Sequence, residues 1–216
     1  MPASPVHRRR KPGRPAKKKA GVQPASERLL SVATELFARG GYDAVSIRAI
    51  ANKSGVTLSS LYHHYGDKRG LYIAVHLAEF GKSSARLEAA VQLGATAAER
   101  LKAFTVELCE VLSEPRFFNL LARHWIDGDP DVVRSLAQAT VPAQFKRVCA
   151  AVRELAPRRN ANATTLTLYA LVHGLINQRP FADSLNLKRA IAREPATMAQ
   201  FVLTQLLPEV VWPKVC

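Results

Sequence analysis

With 216 residues, 48% of them hydrophobic, the chain suits one large domain or two small ones and is not wholly disordered. Its 31 Lys and Arg outnumber 17 Asp and Glu, and the resulting charge of +14 points to a polyanionic partner. Three cysteines (Cys109, Cys149 and Cys216), with no Cys-x-x-Cys pair, support neither a disulfide framework nor a structural zinc site.

The charge is unevenly placed. Residues 1–20 carry eight basic side chains and no acidic one. A segment this basic and rich in Pro and Ala cannot bury apolar surface, so it is expected to be disordered by itself. No apolar stretch follows its basic residues, which argues against a secretory signal. Within it, Lys11-Pro12-Gly13-Arg14-Pro15 resembles the core of an AT-hook. Prolines keep such a strand extended, glycine lets it approach the groove floor, and Arg14 enters the negative potential of a narrow A·T minor groove. Pro12 stands where a hook usually has a second arginine. A polybasic tail touching phosphates without preference is therefore the competing reading.

From residue 21 to 70 the pattern is helical. In 26–39, Leu29, Val32, Ala33, Leu36 and Phe37 form one stripe at helical spacing, with Ser26 as the expected cap and Gly40-Gly41 as the expected end. Ser46 caps a short second helix that points Ile47, Ile50 and Ala51 inward. After the turn 52–55, Thr57 caps a third helix of about two turns. Asp67 then caps a longer fourth helix running to about residue 91. Two short helices joined by a tight glycine turn and braced by a preceding helix make a helix-turn-helix, a shape that presents one helix to the major groove. Val56, Leu61, Ile47 and Ile50 brace it, while Thr57, Leu58, Ser59, Ser60, His63 and His64 are offered to base edges and phosphates. Leu58 is expected to rest on a thymine methyl.

Further along, helices are expected near 96–114, 116–126, 130–156, 162–180 and 195–210. No period-2 runs mark strands. The expected architecture is all-α: a basic tail (1–20), a helix-turn-helix domain (21–70) and a larger helical body (71–216). The longest apolar run, around 166–176, is too short for a membrane span and contains His173, so no membrane association is expected.

The run from Ser26 to Val75 resembles the DNA-binding region of the TetR family of bacterial transcription regulators. The resemblance rests on Phe37-x-x-Gly40-Gly41-Tyr42, on Ser46-Ile47-x-x-Ile50-Ala51, and most of all on Gly55-Val56-Thr57…Leu61-Tyr62-x-x-Tyr65-x-x-Lys68-x-x-Leu71. It covers about a quarter of the chain. Tyr65 replaces the usual Phe. The resemblance implies a cytoplasmic, nucleoid-associated regulator that binds double-stranded DNA as a homodimer and responds to a small-molecule effector. It places Tyr62 and Lys68 on phosphates and Thr57 at the start of the reading helix. Arg14, Ser46, Arg48, Thr57, Leu58, Ser59, Ser60, Tyr62, His63, His64 and Lys68 are accordingly the DNA-binding candidates.

For the body, the resemblance implies a ligand pocket and a dimer bundle from the helices near 162–180 and 195–210. Phe117, Phe118, His124, Trp125, Phe145, Tyr169 and His173 are the candidates for lining a site that suits a largely apolar effector. No metal or cofactor is expected, since His63 and His64 lack a third ligand and the acidic run 127–131 lacks the closing glutamate of a calcium loop. No glycine-rich phosphate loop, His-Glu-x-x-His or Gly-x-Ser-x-Gly motif suggests an enzyme. Three readings of function stay open: a ligand-responsive repressor on a near-palindromic operator, an architectural A·T-rich DNA-binding protein, and a ligand-binding or adaptor protein with vestigial DNA affinity.

Overall fold

The computed structural model describes residues 23–120, 142–185 and 193–213, together with 130, 134 and 138. Arg14 and the rest of the basic tail, His124 and Trp125 lie outside the described residues. All regular structure within them is helical, as the periodicity predicts. None of these helices is long and apolar enough to cross a membrane.

Helices α1 (Ala25–Ala44), α2 (Ile47–Ser54) and α3 (Leu58–Tyr65) form an N-terminal head, and α4 (Lys68–Ala90) leads out of it. Polar side chains open three of these helices as expected. The Ser46 hydroxyl accepts from the Ala49 N–H at 3.1 Å, Thr57 from Ser60 at 3.2 Å, and the Asp67 carboxylate from Gly70 at 2.7 Å. The first helix departs from expectation at both ends. Its N-cap position falls on Pro24, and Ser26 caps nothing; it lies inside the first turn. Proline suits that place, because its fixed φ is helix-compatible and its missing N–H would have gone unbonded anyway. At the other end Gly41 takes φ 75°, but the chain resumes a helical turn to Ala44. This kink folds the Tyr42 ring back to 5.0 Å from Tyr72.

The head core holds Leu29, Phe37, Ile50, Leu61, Leu71 and Val75, all fully buried. Each such side chain contributes about 1.5–3 kcal/mol by leaving water. The body consists of α5 (Ala97–Ser113), α6 (Pro142–Leu155), α7 (Ala161–Asn177), α8 (Arg179–Ser184) and α9 (Pro195–Leu206). Helix α5 packs on α4, α6 and α9, and α7 lies against α6 and α9. Leu101, Phe104, Val148, Leu168, Val172 and Leu203 meet in its core. One predicted boundary moves at a proline. The helix expected over 162–180 stops at Asn177 before α8 takes Pro180 into its first turn. A proline has no N–H to give to a continuing ladder, so the helix is reset there.

Helix α4 belongs to both parts. Tyr72, His76 and Phe80 recur every fourth residue along one face, with ring centroids 4.2 and 6.2 Å apart. Tyr72 meets the edge of Phe37 in the head at 5.0 Å, and Phe80 meets Phe117 in the body at 4.8 Å. Phe80 packs against both cores, and Leu120, beyond α5 in sequence, is buried in the head core. On the outer side Arg86 ties α4 to the α5 region through Glu107 and Glu114.

Candidate nucleic-acid interface

The head presents one helix to solvent. Gly55, at φ 63°, ends α2 in the left-handed region, and the Val56 N–H returns to the Ala51 carbonyl at 3.0 Å. This tight turn seats α3 across α2, with Leu61 fully buried beneath it. On its outer side Thr57, Ser59, Tyr62, His63 and His64 are exposed, and Ser60 is half-buried. Tyr62 is 49% exposed, an unusual placement for an aromatic side chain. Ser46 and Arg48 are exposed at the start of α2. The cap bonds of Ser46 and Thr57 use only oxygen lone pairs, so each hydroxyl keeps its O–H to donate to a phosphate.

Two candidates sit differently from expectation. Leu58 is half-buried and packed on the head core. Together with Leu61 and Tyr65 it forms the inner stripe of α3, at positions i, i+3 and i+7, which takes it off the free face where a thymine methyl would be met. The Lys68 ammonium folds over the Tyr42 ring, 4.4 Å from its centroid, and lies 3.4 Å from the Asp43 carbonyl. It therefore sits at the seam between α4 and the end of α1 rather than projecting from the reading face. Lys53 is paired with Glu35 at 2.9 Å, and this hydrogen bond holds the Glu35 carboxyl below its ordinary range.

One contact in the head was missed from sequence. The Tyr65 hydroxyl, at the end of α3, donates a 2.8 Å hydrogen bond to the Ser26 carbonyl in the first turn of α1. The only signal available was a tyrosine where the family commonly has phenylalanine.

In the body, Phe117, Phe118, Phe145 and Tyr169 are brought together in one apolar cluster with Phe80 and Phe104. The Phe104 and Tyr169 rings meet edge to face at 5.7 Å. Burial pushes the Tyr169 hydroxyl well above its ordinary range, and the buried side chain of Gln144 lies beside it. His173 is half-buried on α7 against the Asn177 amide at 3.0 Å, and burial lowers its pKa. An open groove of about 450 Å³, lined by Val91, Gln92, Arg100, Arg147 and Glu154 among others, contains none of these candidates. Cys109 and Cys149 are buried free thiols, and burial pushes Cys109 up to about 12, so both suit packing rather than chemistry.

Residues 29–75 match the family model of bacterial regulatory proteins, tetR family. The head is thus similar to the DNA-binding part of that family. Over 127 residues the chain is 24% identical to the HTH-type transcriptional repressor KstR of Mycobacterium tuberculosis, covering 57% of this chain and 58% of that protein. The chain thus spans little more than half the length of this curated relative. The fold extends further than the sequence likeness. The fatty acid degradation regulator FadR of Bacillus halodurans superposes with a TM-score of 0.69 at 13% identity, over 88% of this chain and 97% of that one. FadR of Bacillus subtilis, solved in complex with stearoyl-CoA, gives 0.67 at 14% identity, over 86% and 99%. The head and the helical body together therefore have the TetR-like fold expected from the sequence.

Proposed function

We propose that the protein is a cytoplasmic transcriptional regulator that binds a near-palindromic operator as a homodimer and releases it when a small molecule occupies the helical body. The observation that carries this reading is the outer face of α3, where Thr57, Ser59, Tyr62, His63 and His64 are exposed on a TetR-like head. Such a face has hydroxyl, phenol and imidazole groups for phosphates and base edges, and a buried inner stripe to hold it steady.

The dimer is assigned to α7 and α9, which pack side by side. Leu166, Leu171 and Phe201 stay 60%, 36% and 53% exposed on them, while Met198, Val202 and Leu206 turn inward. A two-fold pairing of these faces would bury the exposed set and give two reading heads. The effector is assigned to the cluster of Phe117, Phe118, Phe145 and Tyr169, a mostly apolar lining with few polar tips. The complex of the structurally similar FadR with stearoyl-CoA is in keeping with a largely apolar ligand. Release requires only that the effector bind better to a body geometry that misplaces the heads, and α4, shared by both cores, is the element that links the two.

The basic tail is assigned to the neighbouring minor groove, with Arg14 inserted. Pro24, where α1 is about to begin, is nine positions after Pro15, a reach of roughly 30 Å when extended. Each phosphate contact adds about 0.9 to the slope of log affinity against log salt, so a chain beginning at Gly21 should show a shallower slope than the full chain. Equal slopes refute the role of the tail.

Tyr62→Ala tests the head. Half-exposed, Tyr62 contributes little to the core, so helix content should persist while affinity for the operator falls by about tenfold or more, a loss of at least 1.4 kcal/mol. Nuclease footprinting on genomic fragments should show protection confined to discrete inverted repeats. Even coating of A·T-rich DNA, or full binding by the Tyr62→Ala protein, defeats the assignment.

A further inference from the structure

The hydrogen bond from Tyr65 to Ser26 joins the last residue of the reading helix to the first turn of α1, 39 residues away in sequence. That first turn has no side-chain cap. Glu27, its acidic residue, complements the positive end of the helix, and the Tyr65 hydroxyl adds a tertiary anchor to a turn that lacks a side-chain cap. Its own anchorage is firm. The ring packs on the head core, the Tyr65 carbonyl accepts from the Asp67 N–H at 2.9 Å, and α4 approaches so closely that a Cβ on Gly70 would lie 2.1 Å from that same oxygen. A phenylalanine here would fill the space without reaching the carbonyl.

We propose that Tyr65 is a positioning residue for the basic N-terminal arm: by pinning the start of α1 to the end of the reading helix, it fixes the point at which the arm is attached to the head. A tethered binding element gains from its attachment only as far as the tether places it near its site, so a frayed first turn lowers the effective concentration of the arm at the DNA. Tyr65 itself need not touch the duplex. The inference rests on the DNA-binding reading of the head.

The test is a double-mutant cycle in the full chain, with Tyr65→Phe as one change and joint Arg8→Ala, Arg9→Ala, Arg10→Ala and Arg14→Ala as the other. Binding to a fluorescein-labelled duplex carrying one inverted repeat protected in the footprinting is followed by anisotropy across a potassium chloride series. In the native arm background Tyr65→Phe should weaken binding about three- to fivefold and reduce the salt slope by about one, the equivalent of one phosphate contact. In the neutralised-arm background it should do neither. A merely structural role would move both backgrounds alike, and equal effects, or none in either, overturn the proposal. Amide hydrogen exchange gives a second readout independent of binding: Tyr65→Phe should speed exchange at residues 27–31 and leave α2 unchanged. Unchanged exchange there counts equally against it. Should footprinting of the native protein find no discrete site, the reading of the head fails, and the role given to Tyr65 fails with it.

Discussion

The head and the body use the same materials to different ends. In the head, apolar side chains are almost all inside and polar ones outside, so Tyr62 at 49% exposure stands out as an aromatic residue placed for something other than packing. In the body, the aromatic residues that suit a ligand are the ones that fill the core, as Phe117, Phe145 and Tyr169 do around Phe104. Burial therefore separates the candidate contact residues from the core in the head, whereas in the body the candidate lining residues are themselves core residues. Helix α4 carries this difference along its length, with Tyr72 in the head core, Phe80 against both cores, and His76 buried between them.

The sharpest way to break that comparison uses two glycines of α4. A Cβ on Gly70 would sit 2.1 Å from the Tyr65 carbonyl oxygen, whereas a Cβ on Gly81 would meet nothing within 4 Å. Gly70→Ala must push α3 away from α4, at a cost of about 1–3 kcal/mol, and because the displaced element is the reading helix, DNA affinity should suffer more than stability does. Gly81→Ala, in the body half of the same helix, should stabilise the fold by about 0.5–1 kcal/mol through helix propensity alone. Chemical denaturation of both variants, paired with DNA binding, decides the matter. Similar behaviour of the two would mean that the head is no more tightly specified than the rest of α4.

What could be read from the sequence divides along the same line. Caps at Ser46, Thr57 and Asp67, the turn at Gly55 and the inner positions Ile50 and Leu61 depend on residues within a few places of each other, and the structure has each of them as expected. Expectation and structure differ where a distant residue decides the placement. Ser26 was given a capping role, but Pro24 opens α1, and the backbone of Ser26 is engaged by Tyr65 instead. Leu58 was placed on the free face, yet on a helix of eight residues it shares the inner stripe with Leu61 and Tyr65. Lys68 was assigned to phosphate by position, and its ammonium lies over Tyr42 because the Gly41 kink brings that ring back. In the body, the apolar period of α7 correctly named a helix but did not separate Leu168 and Val172, which are buried, from Leu166 and Leu171, which are exposed. That separation depends on where α6 and α9 lie, which no local pattern encodes.

The smallest expected effect concerns how the two parts respond to acid. Glutamates support the starts of two body helices: in α5 the Thr96 hydroxyl is the cap and Glu99, three residues on, accepts in return from the backbone of Thr96 and Ala95, while in α9 Glu194 is itself the cap and accepts from the side chain and backbone of Thr197 and the backbone of Ala196. These bonds hold both carboxyls below their ordinary range, whereas the two short helices of the head are opened by the hydroxyls of Ser46 and Thr57. A carboxyl whose folded-state pKa is depressed adds stability above its unfolded value and loses it as pH falls through the folded value. Glu99→Gln keeps an acceptor but removes the charge, so it should melt slightly below the native protein at neutral pH, with the difference closing as the solution is acidified past the carboxylate range. Thermal melts of the two proteins across that range measure this directly. A gap that stays constant with pH would mean that Glu99 supports α5 through hydrogen-bond geometry alone, and the contrast between a carboxylate at the start of α5 and hydroxyls alone at the start of the reading helix would then have no consequence for stability.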